Sequence, residues 1–235
     1  MRTGATCQIV LGDAYQEIQK IKDKSIDLII TDPPYDMKAH EKSKSNDKIS
    51  KSMGSVMKEL RRSNLTEGID YAILEEFVRV LKKINIYIFC NKKQILPYLN
   101  FFVERHKCSF EILVWIKSNP VPNCGNMYLI DKEYCLFFRK GVRMNMSYQR
   151  AHTYWITATN KKDKLLYHHP TVKPQQIIEQ LILNSSNEGE VILDPFLGSG
   201  TTAAAAVKWN RQFIGFERNA EYYNTAKRRV NDIGR

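Results

Sequence analysis

Two short stretches hold residue types that can do chemistry. The first is Asp32-Pro33-Pro34-Tyr35. It follows Ile26-Asp27-Leu28-Ile29-Ile30, a mostly apolar, β-branched run that fits a strand buried on both faces of a parallel sheet. Neither proline can donate to a ladder, so the strand ends there and the proline carbonyls stay free to accept. An acid, two carbonyls and an aromatic ring are then held at the carboxyl end of a strand, where open α/β sheets bind their ligands. The second stretch is Asp194-Pro195-Phe196-Leu197-Gly198-Ser199-Gly200, which follows another apolar run, Glu190 to Leu193. Its glycines let the backbone approach a ligand. Glu217, 17 positions after Gly200, ends the next strand and is suited to accept hydrogen bonds from ribose hydroxyls. The turn is neither GxGxxG nor a lysine-containing P-loop, which argues against NAD or ATP. A cofactor with a ribose but no phosphate fits better.

The elements that must position these residues follow from periodicity. Cys7 to Leu11 reads as a short strand ending at Gly12-Asp13, followed by a helical period at Tyr15, Ile18 and Ile21. Asp13 at that position also suits a helix cap. Asp70 to Lys82 carries a helical stripe, Ile84 to Cys90 is a strand, and Lys92 to His106 is a helix with Pro97 as a kink or start. Phe110 to Ile116 and Glu133 to Arg139 read as strands that can pair antiparallel at one edge. His169-Pro170-Thr171-Val172-Lys173-Pro174 leads into a helix with Ile177, Ile178, Leu181 and Ile182 on one face. Thr201 to Lys208 is an alanine-rich helix able to pack close to the sheet, Arg211 to Phe216 is a strand, and Asn219 begins the last helix.

Two segments break this pattern. Residues 36–66 hold eight cations against four acids, many serines and few apolar side chains, and read as a basic mobile loop with one short helix around 53–62. Residues 139–168 hold seven cations against Asp163 alone, interleaved with Tyr148, His152, Tyr154, Trp155, Tyr167 and His168. Cations for phosphates and rings for bases are the expected dress of a nucleic-acid surface. The whole chain of 235 residues carries a net charge of +11, which points the same way. Five widely spaced cysteines without a CxxC pair argue against a zinc site or disulfide framework and for a reducing compartment. No apolar run approaches 18 residues, and the first residues do not lead into a signal-peptide core, so the reading is a cytoplasmic protein with no membrane segment.

With both motifs in place, the chain resembles the S-adenosylmethionine-dependent amino-methyltransferases of DNA. Their signatures are an Asp/Asn/Ser-Pro-Pro-Tyr/Phe/Trp catalytic loop and a Phe-x-Gly-x-Gly cofactor loop, found here as Asp32-Pro33-Pro34-Tyr35 and Phe196-Leu197-Gly198-Ser199-Gly200. The catalytic loop comes first, an order similar to the family's β group. Gly12-Asp13 and His169 to Pro174 are similar to further family motifs. The resemblance implies one α/β domain over 1–235, a Rossmann-like, seven-stranded, mostly parallel sheet with helices on both faces and one antiparallel edge strand. The strands starting at 190 and 211 then lie beside those at 7–11 and 26–30. Segments 36–66 and 118–168 become candidate target-recognition inserts.

The resemblance also implies roles. Asp32 and the Pro33 carbonyl accept the two N–H bonds of an exocyclic amine, Pro34 stiffens the loop, and Tyr35 stacks on a base flipped out of the duplex. The nitrogen lone pair, localised in this way, attacks the sulfonium methyl in line, with no metal. Glu217 holds the ribose of S-adenosylmethionine, Asp13 contacts its adenine, and the backbone around Phe196, Gly198 and Gly200 passes close to its methionine and ribose. Asp194, Thr171 and Lys173 are neighbours of the cofactor. Asp32 favours the N6 amine of adenine. The alternatives are cytosine N4, RNA adenine, and a non-catalytic nucleic-acid-binding homologue. The partner is duplex DNA in a bacterial or phage-encoded setting; a homodimer is compatible with the family, with or without a cognate restriction enzyme.

Overall fold

Four consecutive residues, Leu28–Thr31, are fully buried, as a strand covered on both faces requires. The structure, a computed structural model, describes residues 6–37, 66–122, 126, 128–159, 161–167, 169 and 171–233. The helix expected around 53–62, most of the basic loop and Cys124 lie outside these residues. The strands are β1 (Cys7–Leu11), β2 (Leu28–Thr31), β3 (Asn85–Cys90), β4 (Ser109–Lys117), β5 (Lys132–Arg139), β6 (Tyr154–Thr157), β7 (Val191–Asp194) and β8 (Gln212–Glu217). The helices are α1 (Ala14–Glu17), α2 (Ile73–Val80), α3 (Ile95–Leu99), α4 (Lys161–Leu166), α5 (Gln175–Ser185), α6 (Thr201–Lys208) and α7 (Ala220–Ile233). Among the described residues none of them is long and apolar enough to cross a membrane.

One sheet runs in the order β1-β8-β7-β2-β3-β5-β4-β6. The two late strands sit between β1 and β2, as expected. Strands β1, β8, β7, β2 and β3 are mutually parallel, and β5 runs antiparallel between β3 and β4. The two-residue alternation of the strands builds two cores. Ile29, Ile86 and Ile88 face α2 and α3 (Leu74, Phe77, Tyr98). Leu28, Ile30, Tyr87 and Phe89 face α5, α6 and α7 (Ile178, Leu181, Ala203, Ala226). Each such aliphatic or aromatic side chain contributes about 1.5–3 kcal/mol by leaving water. The alanines of α6 are all buried, so this helix lies close on the sheet.

Two details differ from expectation. The sheet has eight strands among the described residues rather than seven, and its antiparallel strand is interior rather than at the edge. The edge is β6, parallel to β4, within the segment read as irregular. It has only four residues, Tyr154-Trp155-Ile156-Thr157, with Tyr154 51% and Ile156 62% exposed, a run too short to stand out from the irregular sequence around it. It is held by the indole of Trp155 donating to Gln180 Oε1 (2.9 Å) and by the indole of Trp115 donating to Thr157 Oγ1 (2.8 Å). Cys90, Cys108 and Cys135 are buried and reduced, and Cys7 is half-buried and reduced.

Gly200 opens α6 at φ +81°, and a Cβ there would lie 2.7 Å from Ala226 Cβ of α7. Gly189 has a similar φ of +79° but nothing within 4 Å. Gly189→Ala therefore carries only the left-handed penalty, about 1 kcal/mol, whereas Gly200→Ala adds a steric clash and loses about 3 kcal/mol. Urea unfolding of both variants checks this, and equal losses would contradict the close approach of α7.

Candidate functional site

Parallel pairing of β2 with β7 (Leu28 opposite Ile192, Ile29 opposite Leu193) brings the ends of these strands together. Asp32 follows one and Asp194 ends the other. β8 ends at Glu217, opposite Leu11 of β1. Both motifs, about 160 residues apart in sequence, thus share the carboxyl edge of the sheet. A cleft of about 510 Å³ opens there. Of the candidate residues, Asp13, Asp32, Pro34, Thr171, Lys173, Asp194, Phe196, Gly198 and Glu217 line it. Pro33 is buried, Gly200 faces α7, and Tyr35 stands beside the cleft.

One half of the cleft is built on Glu217. Its Oε2 accepts the Gly198 N–H and its Oε1 the Asn219 N–H, both at 2.8 Å. Burial pushes its carboxyl above the usual range, and these N–H bonds oppose the rise. Each oxygen keeps a lone-pair direction for a hydroxyl donor. Gly198 takes φ +56°, and a Cβ there would come within 3.0 Å of the His169 imidazole. Burial, then the nearby cations Lys173, Lys164 and Arg229, push His169 down to about 3, so it stays neutral. Its ring packs edge-on to Tyr222 at 4.4 Å between centroids. Asp13 accepts the Tyr15 N–H at 2.9 Å, so it caps α1 while lining the cleft. Burial drives Asp194 up to about 7 against hydrogen bonds from Thr202 and the Phe196 amide.

The other half is built on Asp32. Gln94 Nε2 donates to the Pro34 carbonyl (3.1 Å) and Asn91 Nδ2 to the Asp36 carbonyl (2.8 Å), so two side-chain amides after β3 fix the turn. Lys173 Nζ pairs with Asp32 Oδ2. Asp32 Oδ1 is buried and has no hydrogen-bond partner. Burial raises the Asp32 carboxyl above the ordinary value, and the ammonium of Lys173 works against that rise. The arrangement leaves one carboxylate oxygen fixed and the other ready for an N–H donor. Lys173, a candidate neighbour of the cofactor, is only 6% exposed and lies against Asp32. Its Nζ also sits 5.5 Å from the Tyr35 ring centroid and 5.1 Å from that of Phe89.

Several participants escape the sequence reading. Glu133 lies 3.3 Å from Lys173 Nζ, and its other oxygen pairs with Lys117 Nζ at 2.6 Å. The Tyr35 hydroxyl donates to Glu133 Oε2 at 3.4 Å. His169, quoted within a motif, has no assigned role there. Glu67, Gly68, Ile69 and Asp70 also line the cleft, and no local pattern marks them. Among the described residues no cluster of three His, Cys, Asp or Glu side chains could hold a metal.

The basic and aromatic segment divides in space. Lys140 N–H binds the Ile84 carbonyl before β3 (2.9 Å), and Asn145 N–H binds the Asn184 carbonyl near the end of α5 (2.8 Å). Residues 140–150 are therefore anchored at the amino edge of the sheet, away from the cleft. Tyr148, His152 and Tyr154 form an edge-to-face ladder with centroids 6.1 and 5.9 Å apart. Trp155 turns inward, and Tyr167 lies under the Arg229 guanidinium at 4.1 Å. The end of β4, the start of β5 and α4 flank the Asp32 edge: Lys117 pairs with Glu133, Glu133 reaches Lys173, and Lys164 is close enough to act on its charge.

Comparison with known proteins agrees with this geometry. A family model described as DNA methylase, N6_N4_Mtase, matches residues 26–228. The type II methyltransferase M2.LlaDCHI of Lactococcus lactis subsp. cremoris is 30% identical, over 95% of this chain and 88% of that protein. DNA adenine methyltransferase YhdJ of Escherichia coli (strain K12) is 28% identical, over 94% and 82%. The crystal structure of the M1.HpyAVI–SAM complex superposes with a TM-score of 0.66 at 27% identity, covering 96% of this chain and 100% of that one. On the strength of a match across most of its length, on strands and loops that build one cleft, this chain belongs to the N6_N4 family of DNA methylases.

Proposed function

We propose that this protein transfers the methyl group of S-adenosylmethionine to the exocyclic N6 amine of adenine in DNA. The observation that carries this reading is the Asp32 carboxylate, with Oδ2 tied to Lys173 and Oδ1 buried and unpartnered at the cleft. The cofactor half fits a nucleoside carrying a small charged tail. Its volume lies in the range of small-molecule sites. Glu217 is already oriented by two N–H bonds, and Gly198 lets the backbone come close. A relative named DNA adenine methyltransferase and a structural neighbour solved with SAM support the same assignment.

Bound in this cleft, S-adenosylmethionine supplies an electrophilic methyl group. An aromatic amine is a poor nucleophile because its lone pair is delocalised into the ring. Asp32 Oδ1 accepts one amine N–H, and the Pro33 carbonyl accepts the other. This draws the nitrogen toward tetrahedral geometry and localises the lone pair. The lone pair so exposed would take the methyl carbon as the methyl–sulfur bond breaks and its electron pair stays on the sulfur, leaving a neutral thioether, and the nitrogen would shed one proton, which Asp32 Oδ1 is placed to take. Catalysis is mostly positioning and fixed charge. A base inside a duplex cannot reach such a pocket, so the target leaves the stack and meets Tyr35. Glu217 holds the ribose hydroxyls and Asp13 the adenine amine of the cofactor. Thr171, Asp194, Phe196, Gly198 and Gly200 shape the same site. We assign target reading to the candidate segments 36–66 and 118–168, less residues 140–150, which are anchored at the opposite edge of the sheet, and the net charge of +11 attracts the phosphates. The protein acts on cellular DNA in the cytoplasm.

Expression in a methylation-deficient host, followed by sequencing that detects modified bases, should give N6-methyladenine confined to one motif. N4-methylcytosine there would overturn the choice of base. Asp32→Ala should cut methyl transfer by about 10³-fold or more while cofactor affinity, measured by calorimetry, changes less than about threefold; retained turnover would remove Asp32 from the chemistry. Glu217→Ala should weaken cofactor binding about a hundredfold, and an unchanged affinity would refute the ribose assignment.

A further inference from the structure

Behind Asp32 stands a linear run of alternating charges. Lys117 Nζ holds Glu133 Oε1 at 2.6 Å, Glu133 Oε2 lies 3.3 Å from Lys173 Nζ, and Lys173 holds Asp32 Oδ2. The four side chains are between 6% and 24% exposed, so water screens them little. Glu133 does not line the cleft. Its oxygens are occupied by two ammoniums and the Tyr35 hydroxyl. A merely stabilising acid has no reason to reach the partner of the catalytic acid.

The electrostatics give it one. An ammonium paired with Asp32 alone would neutralise that carboxylate and weaken it as an acceptor. Glu133 draws part of the Lys173 charge to itself and leaves Asp32 more basic. Lys117 in turn keeps Glu133 from taking Lys173 over. We infer that Glu133 and Lys117 are positioning residues that divide the Lys173 ammonium between two carboxylates and so set how strongly Asp32 accepts the target amine. The inference deepens the methyl-transfer reading and rests on it for the identity of the donor.

The perturbations of these groups agree in sign. Burial acts first on Glu133 and would raise it, but Lys173 and Lys117 hold it at about 2. Burial would lower Lys173, yet Asp32 and Glu133 push it up to about 12. On Asp32, Lys173 lowers and Glu133 raises the carboxyl. The other groups facing this cluster are Tyr35, the neutral thiols Cys90 and Cys135, Asp194 across the cleft, the neutral His169, and Lys164 of α4.

Two isosteric changes should therefore move Asp32 in opposite directions. Glu133→Gln removes a negative charge, so Asp32 loses its proton at lower pH. Lys117→Met removes a positive charge, so Asp32 loses it at higher pH. Each shift should be about one pH unit, and the double variant should return near the parent. The primary readout is the carboxyl ¹³C titration of Asp32 in labelled protein, which needs no turnover and separates Asp32 from Asp194. The second is the single-turnover methylation rate against pH on plasmid DNA from a methylation-deficient host. Its acid limb, set by the ionised Asp32, should shift in the same directions, and Glu133→Gln should lower the plateau about tenfold. Titrations that do not move, or that move the same way in both variants, overturn the inference while parental methylation keeps the proposed function. Opposite shifts without any parental turnover on DNA would keep the charge-sharing and sink the function.

Discussion

Pairing of β2 with β7 is the constraint on which the site depends. The two strands are separated by most of the chain, and neither carries a whole site at its end. The cost of closing such a long loop grows only as the logarithm of its length. It is offset by strands buried on both faces, such as Leu28, Ile29, Ile192 and Leu193. The Asp32 turn and the Phe196–Gly200 turn meet only when the last third of the chain has inserted between β1 and β2.

Burial at this edge carries an electrostatic cost that the structure balances locally. A carboxylate taken from water favours its neutral form, as Asp194 shows by rising to about 7. Asp32 is subject to the same pressure but has an ammonium bonded to one oxygen. That ammonium is buried and would itself lose its charge without two acids around it. Removing Lys173 would leave the buried carboxylates of Asp32 and Glu133 without the ammonium between them, so the cluster is held together by that central charge. Glu217 handles its burial differently: backbone N–H groups, which cannot titrate, hold both its oxygens.

The parts legible in the sequence are those whose meaning is local. Proline pairs end strands, glycines with positive φ make close turns, and acids at strand ends face the carboxyl edge of a parallel sheet. These rules place Asp32, Asp194, Gly198 and Glu217 without any knowledge of contacts. The rest depends on pairing partners. Lys173 in a Thr-Val-Lys-Pro run reads equally as a surface lysine, and only the fold brings Asp32 to it. β6 is a run of four residues, Tyr154 to Thr157, too short to be told from the loop around it, and alternate side chains of it face outward. Basic residues 139–150 look continuous with 157–167 in sequence, yet their anchors at Ile84 and Asn184 send them to the opposite edge.

Glu133 illustrates why direction matters as much as assignment. A strand over 133–139 is readable from its residues, but in a parallel sheet its first residue would sit at the amino edge, far from any ligand. In this sheet β5 runs against both β3 and β4, with Cys90 opposite Tyr134 and Trp115 opposite Glu133. The reversal delivers the start of β5 to the carboxyl ends of its neighbours. An acid at the second position of the strand thereby meets Lys117, at the end of β4, and Lys173, before α5. An interior antiparallel strand in a mostly parallel sheet is thus more than a topological variation. It is the geometric means by which a residue from the middle of the chain reaches behind the Asp32 turn formed near its beginning.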